Sequence, residues 1–87
     1  MTRPVVRIAY CAECGYEEQA LAVTRELVME LGSVISSVTL IPWMDGTFDV
    51  SVDGQLVHSM ARDGGFPEAG AVSSAVRERI APARKET

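Results

Sequence analysis

Apolar and polar residues change their period several times along the chain, and each change marks an element. Val5-Val6-Arg7-Ile8-Ala9-Tyr10 is β-branched and mostly apolar, as suits a central strand buried on both faces, with Arg7 the residue that fits least. From Gly15 or Tyr16 onward the period becomes helical: Tyr16, Ala20, Val23, Leu27 and Leu31 share one stripe, and Leu21, Thr24 and Val28 widen it. Glu17 and Glu18 suit the positive end of that helix, and Gly32 is its stop. Ser33 to Ile41 reads as a second strand, with Val38 and Leu40 on one side, Thr39 and Ile41 on the other, and Pro42 at its end. Thr47 to Val52 alternates cleanly, Asp53-Gly54 is a two-residue hairpin signal, and Gln55 to Ser59 returns. A Gly-rich bend, Asp63 to Pro67, leads to a last helix with Pro67 near its first turn and Val72, Val76 and Ile80 spaced by four. Pro82 is expected to end it, leaving residues 83–87 to fray.

The order β-α-β-β-β-α puts a helix between the first two strands, which makes them parallel through a right-handed crossover. A hairpin follows. If the first strand pairs with both the second and the third, the result is a mixed four-stranded sheet of order 2-1-3-4 with helices covering its faces. This is an α/β (α+β) fold of the minimal thioredoxin-like kind. Its topology gathers three loops at one edge. The first strand ends there at Cys11, the parallel second strand ends there at Pro42 to Gly46, and the fourth strand delivers Met60 to Pro67 to the same edge. The Asp53-Gly54 turn lies at the opposite end.

Cys11 and Cys14, the two cysteines of the chain, thus sit at the junction of a strand and a helix expected to begin at the second of them. That spacing lets the sulfurs reach bonding distance, and a helix N-terminus favours a thiolate. Dithiol-disulfide exchange, half of a zinc site and an inert dithiol share this local pattern. Glu13 between the sulfurs opposes the helix effect by disfavouring a nearby negative charge. Zinc needs four ligands, and Cys11, Cys14 and His58 supply three, so no metal is expected. His58 is read as a solvated histidine on an edge strand. Gly64-Gly65 reads as conformational, because no Lys-Ser/Thr follows to make a phosphate loop.

Composition narrows the function further. A chain of 87 residues, 47% of them apolar, makes one domain spanning 1–87 with a single core. Its 12 acidic residues against 8 basic ones give a net charge of −4, which repels a phosphate backbone, so nucleic acid is not expected as a partner. The apolar stretch after Met1-Thr2-Arg3-Pro4 is broken by Arg7 and no segment approaches the roughly 20 apolar residues of a membrane span, so neither a leader nor a membrane is expected. A reducing cytoplasm is the expected location, where a C-x-x-C pair is catalytic or metal-binding rather than a staple.

Three stretches together resemble a known family: Tyr10-Cys11-x-x-Cys14-Gly15-Tyr16, then Phe48-x-Val50-x-Val52-x-Gly54-x-Leu56-Val57-His58-Ser59, then Gly65-Phe66-Pro67. They are similar to the selenoprotein W-like group of the Rdx family, which includes selenoproteins T and H. The resemblance runs from Val5 to about Ile80. It implies a thioredoxin-like fold and a C-x-x-selenocysteine or C-x-x-C motif with glutathione-linked antioxidant roles. Cys14 stands where the selenium-containing members carry selenocysteine, and a thiol of ordinary pKa about 8.5 is the weaker nucleophile at neutral pH. In thioredoxin-like proteins the first cysteine, here Cys11, is usually the attacker, whereas this family places its more reactive chalcogen second. Both are therefore carried as catalytic, with the order open. Many bacterial relatives have a small, Gly-rich loop before the third strand; here it carries Trp43 and Met44.

The expected function is a small thiol-disulfide oxidoreductase acting on protein disulfides or glutathione, with glutathione as co-substrate and no bound cofactor. The alternative is a non-catalytic binding module using the same edge, for which Pro42, Trp43, Met44 and Phe66 are the docking candidates. Tyr10 and Tyr16 are read as core or rim packing, the alternative being that they limit solvent access to the sulfurs. A homodimer through an unprotected sheet edge is the further option.

Overall fold

The computed structural model describes residues 3–80 of the chain. In order, the elements are β1 (Val5–Cys11), α1 (Glu17–Leu31), β2 (Ser37–Trp43), β3 (Phe48–Val52), β4 (Gln55–Ser59), α2 (Met60–Asp63) and α3 (Ala71–Ile80). The four strands form one sheet of order β2-β1-β3-β4, with β1 parallel to β2 and antiparallel to β3, and β4 antiparallel to β3. This is the mixed sheet the pattern predicts. The expected stop at Pro82 and the tail 83–87 lie outside the described residues.

The sheet is buried on one face, not on both. Val6 and Ile8 of β1 and Phe48, Val50 and Val52 of β3 have no solvent exposure, and they meet Ala20, Val23, Leu27 and Leu31 of α1 and Val72 and Val76 of α3 in a single core. Register explains the selection, because Val6 lies opposite Val52, Ile8 opposite Val50 and Tyr10 opposite Phe48. The alternate residues point the other way. There Arg7, Thr39 and Leu56 are exposed and Ser51 half-buried. The reading of β1 as a doubly covered strand is therefore corrected: Arg7 marks an uncovered face, as the polar alternates of β3 do.

Boundaries shift for physical reasons. Pro42, read as the end of the second strand, lies within β2, in register with Tyr10. The Trp43 carbonyl accepts the Ala12 N–H at 3.0 Å, so the backbone of Trp43 faces β1 and that of Pro42 faces the free edge of the sheet. An edge position that has no ladder bond to donate is where a strand tolerates proline. β2 starts later than expected, at Ser37, because Gly32 to Val34 turn beyond α1 and Ile35 is spent in the core. α3 begins at Ala71, past Pro67, and α2 is an extra short helix within the stretch read as a bend. At the far end, Asp53 clasps the start of β1, accepting the Val5 N–H through its carboxylate at 2.9 Å and donating its own N–H to the Val5 carbonyl at 2.8 Å. Among the described residues no helix is long and apolar enough to cross a membrane.

The stripe on α1 predicts unequal costs of truncation. Leu27→Ala empties a fully buried position and is expected to lower the unfolding free energy by about 2–5 kcal/mol. Leu21→Ala, at a side chain 55% exposed, is expected to change it by less than about 0.5 kcal/mol. Urea titration of both variants measures the difference, and equal losses would show that α1 packs through another face.

Candidate functional site

β1 carries the site at its last residue. Cys11 donates its N–H to the Thr47 carbonyl at 2.8 Å on the β3 side, and the next N–H, of Ala12, is bound by Trp43 on the β2 side. The chain is thus held from both flanks until it leaves the sheet. Residues 12–16 then turn: Gly15 donates to the Ala12 carbonyl and Tyr16 to the Cys11 carbonyl, both at 3.2 Å. Gly15 has φ of 81°, a left-handed conformation that an L side chain adopts only at a cost of about 1–2 kcal/mol. That turn delays the helix. α1 starts at Glu17 with Tyr16 as its N-cap, so Cys14 lies outside the helix rather than at its first position as the sequence pattern suggests. The dipole effect, confined to the first turn, is correspondingly weaker there.

Cys11 and Cys14 are joined by a disulfide, with their Cα atoms 5.3 Å apart. The two cysteines live in different surroundings. Cys11 has no solvent exposure, whereas Cys14 sits on the exposed part of the turn with Ala12, Glu13 and Gly15. Access to the pair from solvent is therefore through Cys14.

The three expected loops do converge on this edge. Trp43 lies in register with Cys11 on the neighbouring strand, 54% exposed, followed by Met44 at 48%. Trp43 thus does not fold back over the core. Pro42 is exposed beside it. From the third loop Phe66 enters an aromatic group: its ring meets Tyr16 edge-on at 4.9 Å between centroids and Phe48 edge-on at 5.1 Å. Such contacts contribute about 0.5–1.5 kcal/mol each beyond area burial. Tyr16, two residues past Cys14, is thereby tied to the start of β3.

His58 is the residue whose part the sequence reading missed. It is not a solvated edge histidine: its side chain is 14% exposed, its Nε2 is 2.7 Å from the Gly65 carbonyl oxygen, and its Nδ1 is 3.5 Å from Asp63. A carbonyl only accepts, so Nε2 carries the proton. A shift in register between Val50 and Ser51 places His58 opposite the core residue Val50 and leaves Val57 as the extra residue of a bulge, also packed on the core. The signal available in the sequence was Ser59 with Asp63 just before two glycines. Ser59 caps α2, accepting the Arg62 N–H, and donates its own N–H to Asp63 at 3.1 Å, while Gly64 closes the helix in a left-handed conformation.

The comparisons with known proteins agree with this geometry. The sequence profile of the Rdx family matches residues 5–78. Among solved structures, a selenoprotein W-related protein from Vibrio cholerae is similar at 28% identity with a TM-score of 0.87, over 91% of this chain and 99% of that one. A protein from Bordetella parapertussis is similar at 31% identity with a TM-score of 0.85, over 90% and 99% respectively. No curated protein sequence matches.

Asp63 supplies a pH test of the loop. The Arg62 guanidinium, donating to both carboxylate oxygens at 2.9 and 2.8 Å, and then the Ser59 N–H lower its carboxyl from the ordinary 3.8 to about 2. A carboxyl lowered by folding stabilises the folded loop fully above its ordinary value and loses that contribution as pH falls toward the lowered one. The Asp63 carboxyl carbon is expected to titrate near 2 in an NMR series, with the α2 cap loosening only below pH 3.8. Titration at an ordinary value would show that the Arg62 and Ser59 contacts do not persist in solution.

Proposed function

Because the chain belongs to the Rdx family and carries its cysteine pair at the shared edge of a thioredoxin-like sheet, we propose that it is a thiol-disulfide oxidoreductase whose outer sulfur is Cys14. The observation that carries this reading is the asymmetry of the pair. An exposed cysteine bonded to a fully buried one suits attack from outside at the first and resolution from within by the second.

In the reducing direction the Cys14 thiolate attacks one sulfur of a substrate disulfide. A Cys14 mixed disulfide forms, and the other substrate sulfur leaves as a thiolate that takes a proton. The Cys11 thiolate then attacks the Cys14 sulfur, closing the Cys11–Cys14 disulfide and releasing the second substrate thiol. Two electrons and two protons pass from protein to substrate. Two glutathione thiols, becoming glutathione disulfide, return the pair to the dithiol. The substrate is a protein disulfide or a glutathione mixed disulfide, and the reducing cytoplasm is the compartment in which such a pair turns over. Pro42, Trp43, Met44 and Phe66 form the apolar border against which a substrate would rest, since large rigid side chains dominate docking.

The order of attack is tested by single replacements. Cys11→Ser leaves Cys14 free and exposed and is expected to trap a mixed disulfide with glutathione, seen by mass spectrometry. Cys14→Ser leaves a buried thiol and is expected to do so at least about tenfold more slowly, because exchange requires access to the thiolate. Equal trapping would remove the assigned order, and no trapping by either, together with no two-hydrogen mass change on mild oxidation of the native chain, would remove the oxidoreductase reading.

Trp43 supplies an independent readout as the sole tryptophan of the chain. Its emission is expected to change between reduced and oxidised protein and to be quenched by iodide. Trp43→Ala is expected to slow exchange with a disulfide-bearing protein while shifting the midpoint of thermal unfolding little, as for an exposed side chain. A Trp43 that ignores redox state and iodide, and whose loss destabilises the fold by the roughly 3–5 kcal/mol of a buried aromatic, would take this strand end out of the site.

A further inference from the structure

The half-buried pair His58 and Gly65 lies on the fourth strand and the third loop, away from the sulfurs, yet a continuous set of contacts joins it to them. His58 donates from Nε2 to the Gly65 carbonyl at 2.7 Å. Gly65 has φ of 151°, in the region that favours glycine, so the carbonyl bond fixes a residue whose backbone is otherwise free to turn. Phe66, next in the chain, is set edge-on against Tyr16 and Phe48. Tyr16 in turn donates its N–H to the carbonyl of Cys11 and accepts the Ala20 N–H, closing the turn that holds Cys14 and starting α1. On the other side of the imidazole, Nδ1 faces Asp63, which is held by Arg62 and by the Ser59 N–H. His58 is thus fastened through Nε2, with Asp63 lying 3.5 Å from its other ring nitrogen.

We propose that His58 is a positioning residue for the thiol pair, holding Phe66 against Tyr16 so that the turn 12–16 keeps Cys14 beside Cys11 when the disulfide is open. The inference rests on the oxidoreductase reading above and deepens it. In the oxidised protein the covalent bond itself closes the turn, and the clamp adds little to that closure. In the reduced protein the backbone bonds of the turn and the ring contacts of Tyr16 are what keep the two thiols near each other. The clamp therefore raises the effective concentration of one thiol toward the other, which is the quantity that sets how readily the pair oxidises. Loss of the clamp favours the dithiol.

The test is the equilibrium in which protein dithiol and glutathione disulfide give protein disulfide and two glutathione thiols, measured on the native chain and on three variants by trapping thiols and counting them by mass. His58→Leu fills the space without a donor. His58→Asn keeps polarity but is too short to reach the Gly65 carbonyl, and serves where the leucine variant does not fold. His58→Gln places an amide N–H near the position of Nε2 and serves as the rescue. The leucine and asparagine variants are expected to lower the equilibrium constant about tenfold, which corresponds to about 30 mV for a two-electron couple, and to weaken the Tyr16–Phe66 ring contact seen by proton NMR. His58→Gln is expected to restore both toward the native values. A merely structural His58 destabilises both redox forms alike and leaves the equilibrium unmoved. A native protein that equilibrates with glutathione while the leucine and asparagine variants match it overturns the positioning role alone, as does a glutamine variant no better than the asparagine one. A native protein that forms no disulfide at any glutathione ratio overturns the oxidoreductase reading, and the positioning role with it.

Discussion

The site depends on β1 being paired on both sides along its whole length. Its register with β2 extends to Cys11, and on the β3 side Thr47 takes the Cys11 N–H just beyond the ladder. A residue whose backbone is gripped from both flanks and whose side chain is fully buried has little room to move its sulfur, and burial removes water from it as well. Three residues later, within a turn that only a glycine accommodates comfortably at position 15, Cys14 stands in solvent. The proposed order of attack rests on this contrast between a buried inner cysteine and an exposed outer one. The spacing of the two cysteines is common to both kinds of environment and does not decide between them.

Much of the architecture was legible because the signals were redundant. The β3–β4 hairpin had clean alternation and Asp53-Gly54 between its arms, and α1 had Ala20, Val23, Leu27 and Leu31 at helical spacing; both elements form, although α1 starts later than the pattern put it and Leu21 and Val28, read as widening its stripe, are exposed. The convergence of three loops on one edge followed from topology, since a parallel β2 and a β4 antiparallel to β3 must finish where β1 does. What the pattern misjudged were cases where one residue type serves two purposes. Arg7 in an apolar run marked an uncovered sheet face and was outweighed by its neighbours. Pro42 looked like a terminator, and only the direction of its missing N–H, toward the free edge, allows it inside β2.

His58 shows the same limit within the site. Simple alternation on an edge strand places a polar residue toward solvent, and the bulge at Val57 cancels that expectation by changing which residue faces the core. Bulges depend on how two strands meet and leave no composition signal of their own. The helix boundary at Glu17 is similar, because two acidic residues suit a first turn wherever it starts, and the left-handed Gly15 decides the place.

The clasp at the far end of β1 has a consequence for how much of the protein changes with redox state. Asp53 secures Val5 through two hydrogen bonds, and Thr47 and Trp43 secure the Cys11 end, so the strand is anchored independently of the disulfide. Opening that bond releases a covalent link only within the surface turn and leaves the sheet intact. No hydrogen bond of β1 requires the disulfide, so the sheet is expected to be alike in the oxidised and reduced forms, with amide exchange along β1 and β3 reporting global unfolding in both. A partner that tells them apart has to read the few exposed atoms of the turn, which makes discrimination a matter of touch at one spot rather than of a change in shape.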